Sequence, residues 1–212
     1  MIAAKLRLSH KDMIEKKITD AYSVHRVVYD LYEDIRTEQE KKQSLASKIL
    51  YVDKGGDFQH RIILLLSDRE PKTDLDGTLE FKKVKDSFLQ YEQYRFEVVL
   101  NPTWREHATK KIVAIRRAEA LRAWFLQKSV SQWGFAPAEA SLEIEKISAQ
   151  RFQKNKRPVT HNSATFKGRL KVTDRQEFIR SFEQGIGRAR AFGFGLLQLQ
   201  PIALSNHTNV QL

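Results

Sequence analysis

Apolar and polar residues alternate at the start of the chain. The apolar positions are Ile2, Ala4, Leu6 and Leu8. A period of two is typical of a strand with one buried face. Further along, the segment KILYVDKGGDFQHRIILLLS at 48–67 holds two apolar runs around the pair Gly55 and Gly56. This arrangement predicts two strands joined by a turn at the glycines.

Between these strands the apolar residues recur at steps of four, three and four. They are Val24, Val28, Leu31 and Ile35. Such steps place side chains on one face of a helix, and Asp20 is a good N-cap, so we predict a helix from Asp20 to about Ile35. The polar segment at 68–78 predicts a loop, and LEFKKVK at 79–85 predicts a closing strand. A helix that the pattern marks only weakly is expected before that strand.

The second half repeats the order strand, helix, strand, strand, helix, strand. The segments are RFEVVLNP (95–102), RRAEALRAWFLQKSVSQ (116–132), SLEIEKISAQ (141–150), ATFKGRLKV (164–172), TDRQEFIRSFEQ (173–184) and FGLLQLQP (194–201). Thr173 or Asp174 is the expected cap of the second helix. The repeated order predicts an α+β fold of two tandem ferredoxin-like (β-α-β-β-α-β) units, at 1–90 and 91–201. The tail at 202–212 has no pattern and is expected to be loose.

Charge is distributed unevenly along the chain. Residues 1–100 contain 18 Lys and Arg against 18 Asp and Glu, whereas residues 101–212 contain 19 against 8, so the net charge of +11 lies in the second half. This asymmetry favours a polyanion-binding surface, and the absence of a basic amphipathic helix favours nucleic acid over a membrane. The chain has no cysteine, which excludes disulfides, and no signal-peptide pattern, so we expect a cytoplasmic protein.

Four of the nine glycines lie within eleven positions, at 185, 187, 193 and 195. The sequence between them matches neither a P-loop nor a dinucleotide-binding fingerprint. Gly185 is suited to end the preceding helix. The segment also predicts a row of accessible amides near Gly187 that, with Arg188 and Arg190, approaches a phosphodiester backbone. The sequence leaves both uses open, and they are compatible.

Two basic runs are further candidates for RNA contact. Lys154, Lys156 and Arg157 fall at the tip between two predicted strands, where the plain alternative is a solvated hairpin tip. The other run consists of Lys110, Lys111, Arg116 and Arg117. The chain has no H-x-x-x-H spacing and no acidic cluster in its basic half, so we expect no metal and no other cofactor.

The predicted first helix carries a histidine beside two tyrosines. His25 follows Tyr22 by three positions and precedes Tyr29 by four, so the three side chains share a face at the edge of the apolar stripe. An imidazole and a phenol there could exchange protons with a ribose 2′-OH and a leaving 5′ oxygen, and Arg26 could stabilise the phosphate charge. A lone helical histidine is more often a packing or surface residue, so the spacing alone leaves its role open.

The segments DAYSVHRVVYDLY (20–32) and GIGRARAFGFGLL (185–197), on tandem ferredoxin-like units, resemble the CasE family of CRISPR RNA-processing endoribonucleases in the RAMP superfamily. Ala189 departs from the resemblance, because many members have glycine there. The resemblance implies that Tyr22 and His25 are the catalytic pair of a metal-independent endoribonuclease. It further implies cleavage of CRISPR precursor transcripts at the base of each repeat hairpin, and retention of the product in a surveillance (Cascade) complex with other subunits.

Two alternatives remain at this point. One is a binding-only RNA protein of the same superfamily, in which His25 is structural. The other is an unrelated basic RNA-binding module such as a ribosomal protein, which would be preferred if the first helix faced away from the basic half.

Overall fold

A computed structural model describes residues 1–39, 47–57, 59–72, 78–154 and 157–203. The first half folds around a four-stranded antiparallel sheet. Its elements are β1 (Ile2–Ser9), α1 (His10–Glu15), α2 (Ala21–Asp30), β2 (Ile49–Gly56), β3 (His60–Ser67) and β4 (Leu79–Lys83), followed by a 3-10 turn at Asp86–Leu89. The strand order is β2-β3-β1-β4. This is the order of a ferredoxin-like unit, because the two strands that flank the first helix leave room for β3 between them.

The predicted alternation along β1 is confirmed. Ala4, Leu6 and Leu8 are buried and pack with Val24 and Val28 of α2 in one core cluster. Lys5 and Arg7 are exposed. The strand therefore holds α2 against one face of the sheet.

Four details of the first half differ from the prediction. The short helix α1, which Ser9 caps, was not predicted. Helix α2 ends at Asp30 rather than near Ile35, because the Leu31 carbonyl accepts a bond from the Lys72 backbone (2.8 Å) and Ile35 is exposed. The glycine pair forms the paired end of β2, after a bulge between Asp53 and Gly55, and does not form the turn itself. The described part of the connection from β3 to β4, at 68–72 and 78, contains no second helix, and residues 73–77 of the predicted loop lie outside the described residues.

The second half forms a five-stranded sheet with the same order and, separately, a two-stranded hairpin at 103–114. Its elements are β5 (Gln93–Leu100), β6 (Thr103–Arg105), β7 (Ile112–Ala114), α3 (Ala118–Gln132), β8 (Phe135–Pro137), a 3-10 turn (Glu139–Ser141), β9 (Glu143–Lys154), β10 (Arg157–Val172), α4 (Arg175–Gln184), a 3-10 turn (Arg190–Phe192) and β11 (Gln198–Pro201). Strands β11, β5 and β10 lie side by side, and both β9 and β8 pair with β10. Asp174 caps α4 as expected, since its side chain accepts from the Glu177 amide.

The two sheets share one apolar interface. Leu50, Val52 and Leu66 of the first sheet pack into the core of the second unit, whereas Ile49 and Tyr51 face α2. Strand β2 is therefore buried on both faces, which explains its unbroken apolar run. The α+β, tandem ferredoxin-like fold is confirmed, while the division at residue 90 stays a prediction.

The C-terminal tail begins with a backbone contact to β5. Ile202 donates to the Gln93 carbonyl (2.9 Å), and the rest of the predicted loose tail, from 204, lies outside the described residues.

Within the described ranges, each helix is too short or too polar to cross a membrane.

Candidate active site at the junction of the two units

Helix α2 presents Tyr22 and His25 towards the second unit. The Asp20 carboxylate accepts from the Ser23 amide (2.8 Å), and the Ser23 hydroxyl accepts from the Asp20 amide (2.9 Å). This capping box fixes the first turn of the helix, in which Tyr22 lies. Both rings are half-buried, at the edge of the core as the spacing predicted.

The aromatic cluster around His25 joins three parts of the chain. The His25 ring lies 4.2 Å from Tyr29, 5.2 Å from Phe192 and 5.9 Å from Tyr22 between centroids. Tyr22 also stacks on Phe152 of β9 at 6.4 Å. Among the described residues, the cluster contains Tyr22, His25, Tyr29, Phe152, His161, Phe192 and Phe194. Aromatic contacts on several sides restrict the rotation of the His25 ring.

A hydrogen bond across the junction selects the tautomer of neutral His25. Its Nδ1 lies 2.7 Å from the backbone carbonyl oxygen of Ala191. A carbonyl oxygen can only accept, so Nδ1 carries the hydrogen. In the neutral imidazole the lone pair is then on Nε2, and this nitrogen can accept a proton.

The glycine segment, defined as residues 185–195, brings Ala191 to this position by a series of left-handed residues. Gly185, Gly193 and Gly195 have φ values of 73°, 84° and 83°. A Cβ on Gly195 would lie 2.3 Å from the Ile186 carbonyl oxygen, which excludes any side chain there. Gly185 ends α4, as predicted. Ala189 adopts φ 61° without being glycine, which is a strained conformation.

The two arginines of the glycine segment have different surroundings. Arg190 is half-buried, and its guanidinium donates to the Gln184 and Gly185 carbonyls at the end of α4 (2.7 and 3.3 Å). Arg188 is exposed and has no ion pair or hydrogen bond with the described residues. A Cβ added to Gly187 would lie 3.3 Å from the buried side chain of Leu100, so the Cβ position of this glycine points into the core.

Of the remaining predicted RNA-binding residues, Arg26 lies on α2 and the others belong to the second unit. Lys110 and Lys111 lie at the turn of the β6–β7 hairpin, and Arg117 precedes α3. Arg116 donates to Asn162 on β10 (3.3 Å). Lys154 and Arg157 end the paired strands β9 and β10, and Lys156 lies outside the described residues.

Arg26 is exposed next to the catalytic candidates. Its guanidinium carbon lies 5.9 Å from the centroid of the Tyr22 ring. A cation there is close enough to stabilise negative charge on a bound phosphate.

Sequence reasoning missed four members of the aromatic cluster: Phe152, His161, Phe192 and Phe194. His161 lies on β10, and its ring contacts Phe192 at 5.1 Å and Phe152 at 5.3 Å. Its Nδ1 is buried with no hydrogen-bond partner among the described residues, and burial lowers the pKa of the ring. The signal in the sequence was Phe152 within a charged hairpin tip, where an apolar ring is out of place unless it packs against another part of the chain.

Within the described residues, no group of three or more His, Asp or Glu side chains converges as metal ligands would.

Comparisons with known proteins point to one kind of molecule. The family model described as "CRISPR associated protein" matches residues 1–201. The CRISPR-associated endoribonuclease Cse3 of Thermus thermophilus is 27% identical over 120 residues, which are 52% of this chain and 56% of that protein. The match thus spans little more than half the length of this curated relative.

Solved structures share the fold over nearly the whole chain. A CRISPR endoribonuclease Cse3 bound to a 19-nucleotide RNA aligns with a TM-score of 0.78 at 21% identity, covering 95% of this chain and 100% of that one. A chain of a CRISPR RNA-guided surveillance complex aligns with a TM-score of 0.69 at 16% identity, with the same coverage. At these identities the likeness concerns the fold.

Proposed function

Because this chain belongs to the CRISPR associated protein family, whose model matches residues 1–201, we propose that it is an endoribonuclease that cleaves CRISPR precursor transcripts at the base of their repeat hairpins. The observation that carries the proposal is the bond from His25 Nδ1 to the Ala191 carbonyl. This bond supports the proposal because it orients the ring and selects the neutral tautomer in which Nε2 is the basic nitrogen, as a general base requires.

The reaction is a transesterification within the RNA. His25 Nε2 takes the proton from the ribose 2′-OH, whose oxygen attacks the adjacent phosphorus. The bond from phosphorus to the 5′ oxygen breaks, and the Tyr22 hydroxyl supplies the proton that this oxygen needs. Arg26, next to Tyr22, stabilises the additional negative charge on the phosphate. The products are a 2′,3′-cyclic phosphate and a 5′-OH, and the chemistry uses no metal.

The hairpin stem binds the basic second unit. The positive charge for its phosphates comes from Lys110, Lys111, Arg116, Arg117 and the tip at 154–157. Arg188, in the glycine segment beside His25, contacts the RNA backbone next to the active site. The product stays bound, and the protein serves as a subunit of a surveillance complex with other CRISPR proteins. Retention is supported by the fold shared with a chain of such a complex.

Two alternative functions differ from this proposal in what they require. The binding-only alternative predicts tight binding of the hairpin without cleavage. The ribosomal-type alternative requires the predicted first helix, which is α2, to face away from the basic half, whereas α2 contacts β9 and the glycine segment through Tyr22 and His25.

The decisive experiment incubates the purified chain with a repeat hairpin in the presence of EDTA. We expect one cut at the base of the stem, and no cut when the nucleotide at the cut site carries a 2′-deoxy substitution. Cleavage of the 2′-deoxy RNA, or loss of cleavage upon chelation that added Mg²⁺ restores, would overturn the mechanism. Binding without cleavage of the unmodified hairpin would favour the binding-only alternative.

A further inference from the structure

A groove runs beside the catalytic candidates, between the β6–β7 hairpin and the glycine segment. It consists of two adjoining pockets of about 350 and 480 Å³. Both are lined by Asn101, Thr103, Ile112 and Arg188. We call this feature the flank groove. Phe192 lines the first pocket and lies 5.2 Å from the His25 ring, so the groove begins next to the active site.

Three polar atoms in the walls of the flank groove have no partner among the described residues. They are Asn101 Oδ1, His161 Nδ1 and the indole Nε1 of Trp124, and all three are buried. Asn101 is only 8% exposed and lines both pockets. Buried polar groups are nearly always hydrogen-bonded, because desolvation without a partner is costly. Several such atoms along one groove indicate a ligand that forms hydrogen bonds.

The surface of the flank groove is aromatic and cationic. Trp104 at its rim is 54% exposed, which is unusual for a tryptophan. The charged side chains that line its described walls are Arg105, Lys128 and Arg188, and all are cationic. An exposed indole on which a base can stack, next to cations that contact phosphates, is the pattern of a single-strand binding site.

We propose that the flank groove binds unpaired nucleotides of the RNA next to the scissile phosphate. In a stem the base edges are already paired, so a buried amide such as Asn101 reads them only in a single strand. Asn101 accepts from a base N–H, Trp104 stacks on a base, and Arg188 contacts a phosphate. This inference rests on the proposed function and adds to it the unpaired flank of the hairpin as the second element that is recognised.

The test measures the affinity of the full chain for RNAs that carry a 2′-deoxy nucleotide at the cut site, so that cleavage does not interfere. One RNA has the hairpin with both flanks, two lack one flank each, and a further set carries single abasic nucleotides in the flanks. Trp104→Ala removes the exposed indole, and Asn101→Leu replaces the buried amide by an apolar group of similar shape. Tyr91→Ala, an exposed ring outside the groove, and Thr165→Val, a buried polar residue outside it, are the matched controls.

Trp104→Ala and Asn101→Leu should each weaken binding of the flanked RNA by roughly 5- to 150-fold. Neither should change the affinity for a hairpin that lacks the relevant flank, and the controls should match the parent on all RNAs. One abasic position should weaken binding to the parent and abolish the effect of the variant.

Equal losses on flanked and trimmed hairpins, or no loss for Trp104→Ala, would overturn the proposal. Because Trp104 is exposed, its variant remains informative even if Asn101→Leu does not fold. The readout is binding, so a chain that discriminates the flank without cutting would contradict the proposed reaction and leave the groove assignment intact. A chain that cleaves the hairpin but binds flanked and trimmed RNAs with equal affinity would support the proposed reaction and contradict the groove assignment.

Discussion

His25 and Ala191 are joined by a hydrogen bond of 2.7 Å, although 166 positions separate them in the chain. The imidazole belongs to the first unit and the carbonyl to the glycine segment of the second. The bond therefore forms only when the two units are assembled against each other. It orients the ring that the proposed reaction needs, and it gives the glycine segment a structural role in addition to the proposed RNA contact.

Replacing His25 by alanine removes the proposed general base. We expect His25→Ala to slow cleavage of a repeat hairpin by about 10² to 10⁴, while the affinity for the hairpin stays near the parent value. Tyr22→Phe keeps the ring that stacks on Phe152 and removes the hydroxyl, so it should give a smaller loss of rate. Single-turnover cleavage and equilibrium binding measure the two quantities. Full activity of His25→Ala would assign the chemistry to other residues.

The two arginines of the glycine segment should separate stability from RNA binding. Arg190→Met removes the bonds to the end of α4 and should lower the free energy of unfolding by about 0.5–1.5 kcal/mol. Arg188→Met should leave stability within about 0.5 kcal/mol and reduce the log–log salt slope of RNA binding by roughly 0.7 to 0.9. Denaturant titrations and salt titrations of RNA affinity test the pair. The reverse assignment of the two effects would contradict the contacts described above.

Ala189 should be more stable as glycine. Its φ of 61° costs an L-residue about 1–2 kcal/mol, and glycine loses part of this gain through its greater freedom in the unfolded chain. We expect Ala189→Gly to raise the free energy of unfolding by about 0.5–1 kcal/mol without changing the cleavage rate. Ala191→Gly, at a position without positive φ, is the control and should lower stability. A loss of stability in Ala189→Gly would show that the left-handed conformation is not strained.

His161 should make the stability of the fold depend on pH. Burial lowers the pKa of its ring below the ordinary 6.5, so the unfolded chain binds a proton more readily than the folded one. Stability is then complete above about pH 6.5 and falls as the pH drops towards the lowered pKa. His161→Phe keeps a ring in the aromatic cluster and should reduce this slope. Thermal unfolding of both proteins between about pH 5 and pH 8, a range that brackets the ordinary histidine pKa, provides the measurement. An unchanged slope would assign the titration to another group.

The basic hairpin tip should bind RNA through charge alone. Replacing Lys154, Lys156 and Arg157 together by alanine should reduce the salt slope of hairpin binding by roughly two to three, if each residue neutralises one phosphate. Cleavage at saturating protein should stay near the parent rate, because the tip is not part of the proposed catalytic group. An unchanged slope would exclude the tip from the RNA-binding surface.

The pattern of apolar residues was sufficient for the long strands and main helices of both units, whereas α1 and the short strands β6, β7 and β8 were not predicted. Periods of two and 3.6 report which side chains are buried, and burial is what the sheet and its helices require. The prediction was wrong where local pattern competes with a distant partner. Helix α2 stops early since the Leu31 carbonyl bonds to Lys72, which lies 41 positions further along the chain.

The sequence by itself determined that Tyr22 and His25 share a helical face, that the second half is basic, and that the last glycines follow a helix. These properties depend on residue type and on spacing within a few turns. Only the tertiary structure decided which nitrogen of His25 carries the hydrogen, that Arg190 binds the end of α4, and that Asn101 and Trp104 line a groove beside Phe192. Each of these depends on groups brought together from distant parts of the chain by burial of the interface between the two sheets, and no local pattern encodes that geometry.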